Sequence, residues 1–297
     1  MPQSRPAPST GLNISAGLAS VSVALVLVAM KLWALGETGA LSVAASLTDS
    51  ALDLMMSLGG LMAILYAARP ADEDHAFGHS SVEDLAALAQ AVFIVVSGGA
   101  IGWAAVDRLL SDAPSPLAAQ EQGIAVMALS IPITVGLVLW QRRVARRTGS
   151  RVVAADSLHY MSDLIPNMGA IAALWISAAY GIGQIDSVVA LAAAAIMILG
   201  SLRIGKGAWD ALMDRRADPK LIAGIAAIAR DWPGVHGFHD LKTRMAGSRV
   251  FVNIHIELDG DQSLRAAHDI GAGLRRKIIE TYPQADVIVH KDVVREP

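Results

Sequence analysis

Six apolar stretches, each long enough to cross a bilayer, occupy the first 206 residues and decide most of what this chain can fold into. They lie near 12–35, 40–68, 84–110, 121–141, 152–180 and 185–206. Roughly 20 helical residues bridge a hydrocarbon core, and within that core helices keep every backbone polar group satisfied. Glycines and prolines punctuate the stretches at Gly36, Gly39, Pro70, Pro114, Pro116, Gly181 and Gly183, where a helix breaks or turns. The second and fifth stretches exceed the minimum, so they tilt or protrude at one end. A hydrophobic share of 54% against 17% charged residues fits the membrane class and not an ordinary soluble domain.

The basic residues set an orientation. Arg142, Arg143, Arg146, Arg147 and Arg151 follow the fourth span, and Arg203 and Lys206 flank the end of the sixth. The loops after spans one, three and five hold no Lys or Arg. Loops rich in Lys and Arg stay cytoplasmic, and an even number of spans puts both termini on that side. Lys31 and Trp33 read as a snorkelling cation and an interface anchor near the outer end of span one. Residues 1–11 are polar and proline-rich and are expected to be disordered, with no signal-peptide pattern before the first span.

Beyond residue 214 the pattern changes. Residues 218–230 suggest a short helix, 240–244 and 249–258 strands joined by a turn at Ala246-Gly247-Ser248, 263–282 an amphipathic helix, and 285–290 a third strand. The expected fold is therefore an α-helical membrane protein with six transmembrane helices (12–208) plus a small cytoplasmic α+β domain of order α-β-β-α-β (209–297). A net charge of −3 gives no reason to expect nucleic acid as a partner.

Three groups of residues carry chemistry. Asp49 and Asp53 sit four apart in span two, and His159 and Asp163 four apart in span five, so each pair shares one helix face. Ionisable side chains at membrane depth are costly and mark function. Both pairs lie at similar depth, small residues around them permit close helix packing, and three carboxylates with one imidazole suit a tetrahedral divalent cation. With no cysteine in the chain, every metal ligand must be N or O. The second group is Asp72, His75 and His79 in the loop after span two, three donors within eight residues that can wrap one ion. The third draws on the five histidines of the last 62 residues: His236, His239, His255, His268 and His290, with Asp292 close behind. His239, His255 and His290 fall on or beside strands that can bring them to one edge, whereas His268 lies on a helix.

These residues resemble the cation diffusion facilitator family, in its bacterial zinc and iron exporter branch. The motifs are SLTDSALD (46–53), PADEDHAFGHSSVEDLAALAQ (70–90), ADSLHYMSD (155–163), DWPGVHGFHDLKTR (231–244) and VIVHKD (287–292), and the resemblance runs from residue 12 to 294. It implies a homodimer with a metallochaperone-like cytoplasmic domain and a transport site of Asp49, Asp53, His159 and Asp163. It matches Asp72, His75 and His79 to a loop site, and His239, His255, His268, His290 and Asp292 to a binuclear site that helps join the protomers. An Asp-Asp/His-Asp set is similar to members that carry Zn²⁺ and Cd²⁺, with Fe²⁺ a further candidate. The chain departs from the pattern at two places. Ser81 stands where close relatives carry a lysine that pairs with an acid, here Asp214, and locks the dimer. His236 has no counterpart.

The expected activity is export of divalent metal from the cytoplasm across the bacterial inner membrane in exchange for protons, because carboxylate and imidazole ligands shed protons to bind metal and regain them on release. The main rival is a membrane-anchored metal sensor, which has no use for ligands at membrane depth. An enzyme is not expected: the loop histidines lack the glutamate of a zinc-protease motif.

Overall fold

The structure, a computed structural model, describes residues 10–38, 41–110, 121–162, 164 and 185–294. Helices α1 (Thr10–Thr38), α2 (Leu41–Ala67), α3 (Ser81–Leu110), α4 (Glu121–Thr148), α5 (151–162) and α6 (Ile185–Leu212) come first. Of the described helices, four are long and apolar enough to cross a membrane, within α1, α2, α3 and α6. Large side chains such as Trp33, Met55, Val96, Trp103 and Leu199 project outward, each more than half exposed. An apolar surface of this extent would not stay in water, and here it is the lipid-facing side of the bundle.

α4 continues past the apolar stretch that ends near 141, carrying Arg146 and Arg147 in its last turn; basic residues there complement the helix dipole. α6 likewise runs on to Leu212. α1 packs along α2 and against α4, and α3 lies along α6. Small residues allow the α3–α6 approach: an added Cβ at Gly98 would come 3.0 Å from Ile198, and one at Gly205 3.2 Å from Ala91. Lys31 is more than an interface anchor, because its Nζ donates to Ser50 Oγ of α2 at 2.6 Å.

The C-terminal domain comprises α7 (Pro219–Arg230), β1 (Gly237–Ala246), β2 (Arg249–Leu258), α8 (Leu264–Thr281) and β3 (Ala285–Val293). Asp218 caps α7 by accepting the Lys220 N–H at 2.7 Å, and Ser263 caps α8 by accepting that of Ala266 at 3.2 Å. The sheet order is β1-β2-β3, with β1 antiparallel and β3 parallel to β2. Strand alternation splits β2 cleanly. Val250, Val252, Ile254, Ile256 and Leu258 join Ile225, Leu274 and Ile278 in the core beneath the helices, leaving Phe251, Asn253, His255 and Glu257 on the other face. β1 and β3 both run longer than the sequence pattern suggests: residues 291–293 of β3 are held by pairing with β2 and not by burial, while the added ends of β1 pair with β2 and also pack Phe238, Met245 and Ala246 inward.

Candidate metal centres

The membrane site rests on α2 and α5. Asp53 Oδ1 lies 3.0 Å from His159 Nε2, with the two side chains 16% and 7% exposed. The imidazole sits 6.0 Å from the Phe93 ring of α3 in an edge-on arrangement. Asp49, one turn along α2, is exposed. Asp163 lies outside the described residues.

Below this pair runs a polar network that the sequence pattern did not single out. Ser20 Oγ of α1 donates to Ser57 Oγ of α2 at 2.8 Å, Ser57 Oγ meets Tyr160 OH of α5 at 2.9 Å, and that hydroxyl also donates to the Ser20 carbonyl at 3.3 Å. One turn nearer the start of α5, the buried Asp156 accepts from Gln141 Nε2 of α4 at 2.5 Å. Polar side chains at membrane depth pair across helices in this way because no water is present to solvate them. The network thus fixes α5, and with it His159, against three neighbouring helices.

The loop cluster is built on one tight turn. The Asp72 carboxylate accepts the His75 N–H at 2.7 Å and lies 3.1 Å from His75 Nδ1, while its other oxygen is 3.1 Å from His79 Nε2. The donor atoms of the three side chains all fall within 4.8 Å of one another. Gly78 permits the turn with φ +83°. The backbone hydrogen bond from His75 holds the Asp72 carboxyl below its ordinary value, so it is ionised and ready to ligate.

The cytoplasmic cluster follows from strand register. His239 pairs with His255 across β1–β2, and His255 with His290 across β2–β3, so the three imidazoles form a row over the open sheet face rather than along an edge. Asp292 closes it: His255 Nδ1 lies 2.8 Å, His239 Nε2 3.3 Å and His290 Nε2 3.2 Å from its oxygens. His239, His255 and Asp292 bring their donor atoms within 4.8 Å of one another. The hydrogen bond from His255 and the neighbouring imidazoles hold the Asp292 carboxyl below its ordinary range. Two further carboxylates approach His239: Glu257 at 3.8 Å and Asp240 at 3.7 Å. Gly237 makes room for the first, since a Cβ there would lie 2.5 Å from Glu257 Oε2. His268 is exposed on α8, which packs on the opposite face of the sheet, so a single chain does not bring it to the row. His236 is also exposed, and its N–H donates to the Glu257 carbonyl at 2.9 Å.

The loop and the cytoplasmic domain touch. Phe77 meets Phe251 edge-on at 5.6 Å, and the Arg244 guanidinium lies over both rings, 5.2 and 4.3 Å from their centroids. Arg244 Nη1 also reaches Asp214 at 3.4 Å. Arg151 and the Gly247 backbone both bond Asp84 at the start of α3. None of these long-range pairs has a periodic signature that could have revealed it in advance.

Long apolar helices enclosing an Asp–His pair, joined to a small domain with a histidine-lined sheet face, define a membrane protein that handles metal cations. The chain belongs to the cation efflux family: residues 17–213 match the family's transmembrane domain and residues 217–293 the cytoplasmic domain of cation efflux proteins. It is similar to the Cation-efflux pump FieF of Pectobacterium carotovorum subsp. carotovorum (strain PC1), 40% identical over 279 residues that cover 94% of this chain and 92% of that one. It is also similar to the protein of the same name from Shewanella oneidensis, 41% identical over 280 residues that cover 94% of each. Among solved structures it is similar to the metal-bound C-terminal domain of the CzcD transporter from Thermotoga maritima, at 26% identity and a TM-score of 0.25, covering 26% of this chain and 91% of that one.

Proposed function

We propose that this protein exports divalent metal, Zn²⁺ first, with Cd²⁺ and Fe²⁺ as further candidates, from the cytoplasm in exchange for protons by alternating access. The observation that carries the reading is the Asp53–His159 pair, 3.0 Å apart between two apolar helices. Asp49, Asp53, His159 and Asp163 form the transport site. Each ligand must lose a proton to bind metal and regains one on release, and an imidazole does so nearest to cellular pH. The loop group (Asp72, His75, His79) and the cytoplasmic group (His239, His255, His290, Asp292) hold metal on the entry side, and His268 is supplied to the latter by a second copy in a homodimer. Division at residue 208 makes 12–208 the membrane domain and 209–297 the cytoplasmic one. Orientation in the inner membrane, with both termini inside, is supported by the arginines at the end of α4 and the start of α5. Arg151 at the head of α5 and Gly247 from the C-terminal domain share one carboxylate, so both lie on one side.

Reconstitution into vesicles with an imposed pH gradient tests this. Zn²⁺ uptake should rise with the opposing proton gradient and vanish in Asp53→Ala. Uptake by Asp53→Ala at the parent rate removes the transport site, and flux indifferent to the gradient removes the exchange.

A further inference from the structure

Asp84 opens α3, is fully buried, and uses its two oxygens on two different parts of the protein. Oδ1 accepts from Arg151 Nη1 at 2.5 Å, and Oδ2 accepts the Gly247 N–H at 2.6 Å. Arg151 is the first residue of α5, eight residues before His159, or about 12 Å along the helix. Its side chain rests on α6, where a Cβ at Gly207 would come within 3.3 Å of Nε. Gly247 is the turn of the β1–β2 hairpin, whose strands carry His239 and His255 eight residues to either side, about 26 Å along each strand.

The turn is shaped to be there. Gly247 has φ +55°, and a Cβ at that position would overlap the Ser80 carbonyl oxygen and lie 3.1 Å from Glu83 Oε2. Both the conformation and the closeness of approach require glycine. A buried carboxylate must have its lone pairs satisfied, and Asp84 satisfies them with a cation from the transport helix and an amide from the cytoplasmic hairpin.

We propose that Asp84 is a positioning residue for transport: one carboxylate joins the hairpin turn to the head of α5, so that the hairpin bearing the cytoplasmic metal cluster and the helix bearing His159 move as one piece. This rests on the reading of Asp53 and His159 as the transport site. Asp84 touches no transported ion and acts through Arg151. A displacement of the hairpin then reaches His159 through a helical segment, without passing through the α2–α3 loop.

The test is Zn²⁺ flux in proteoliposomes for Gly247→Ala, Arg151→Met, Asp84→Asn and the Gly247→Ala/Arg151→Met double variant. Each single variant should lower the maximal rate by about fivefold or more. The double should be no slower than the worse single, because either change opens the same joint. Arg151→Lys, which keeps the cation, should recover most of the rate that Arg151→Met loses, and apparent affinity for Zn²⁺ should change little in all of them. Multiplying effects in the double, parent rates in every single variant, or no recovery by lysine would each overturn the proposal. Should Gly247→Ala not fold, the same comparison is made with Asp84→Asn and Arg151→Met. Asp53→Ala in parallel separates the two readings: if it is inactive while the Asp84 set runs at the parent rate, only the joint is lost.

Discussion

Replacing Gln141 by leucine removes the hydrogen-bond donor that holds Asp156, and the structure sets the size of the effect. Gln141 is fully buried, Asp156 nearly so, and the bond between them is 2.5 Å long. Leucine fills much of the same volume, so there is little cavity penalty; it also removes Gln141 Oε1, which is buried without a hydrogen-bond partner, and the Ser20 hydroxyl remains beside the Asp156 carboxyl, so the loss sits at the low end for a buried hydrogen bond. A buried acceptor left wholly unpaired costs about 1–3 kcal/mol; Asp156 keeps Ser20, so the expected cost is about 1 kcal/mol, which at about 1.4 kcal/mol per tenfold is roughly fivefold in an equilibrium constant. The assay is reversible unfolding in mixed detergent micelles, run on the parent, Gln141→Leu, and Gln141→Leu/Asp156→Leu. The single variant should fall by that amount and the double should recover part of it, because removing both polar groups leaves nothing unsatisfied. Parent-like stability in the single variant, or a double less stable than the single, would refute the idea that this bond anchors α5 to α4.

Ile254 is wholly buried in the middle of β2, so Ile254→Ala should cost the cytoplasmic domain about 2–5 kcal/mol, read as faster amide exchange throughout β2; exchange confined to the strand ends would contradict it. Asp292 is held ionised by His255, and that contribution is present above the ordinary carboxyl value of 3.8 and lost only as pH falls through the lowered folded value. Between pH 5 and 8 Asp292 therefore carries no proton to release on Zn²⁺ binding, and calorimetry in buffers of different ionisation enthalpy should find Asp292→Asn weaker in affinity but unchanged in proton count. Phe77→Ala removes an edge-on ring contact worth about 0.5–1.5 kcal/mol, and amide exchange across residues 70–80 should quicken several-fold while β1 and β2 stay protected.

The parts of the molecule that could be read in advance are those written in short-range pattern. Alternation in 249–258 located β2 and its buried face, and the helices expected over 218–230 and 263–282 form there, with Asp218 and Ser263 as their N-caps. The Asp53–His159 contact follows from two pairs at helical spacing in apolar segments, where an acid needs a partner. The histidine row was anticipated only as an edge, since its true form depends on inter-strand register, and a one-residue slip would turn His255 into the core. Asp84 is 67 residues from Arg151 and 163 from Gly247, and a glycine with its amide turned toward an acid leaves no trace in composition. Asp156 stood inside a recognised motif, but its partner is on another helix, and nothing in the spacing of Gln141 to Asp156 marks them as a pair.

Ser81 poses the sharper question, because the resemblance leads one to expect a lysine there to pair with Asp214. Within one chain Asp214 already has a cation, Arg244, at 3.4 Å. The pair is exposed, and such a bridge contributes little by itself, about 0–1 kcal/mol. Arg244 does more through its plane, which covers the Phe251 and Phe77 rings; guanidinium stacking of this kind is a property lysine does not share. The consequence is a change in what the acid holds together. A lysine at 81 would direct Asp214 toward the α2–α3 loop as a point charge, while Arg244 directs it toward the hairpin and brings the loop along through Phe77. The loop cluster and the cytoplasmic cluster are thereby attached to the same two strands, and Arg244→Lys, which preserves the charge and removes the stacking, should free the loop as Phe77→Ala does while leaving the row of histidines intact.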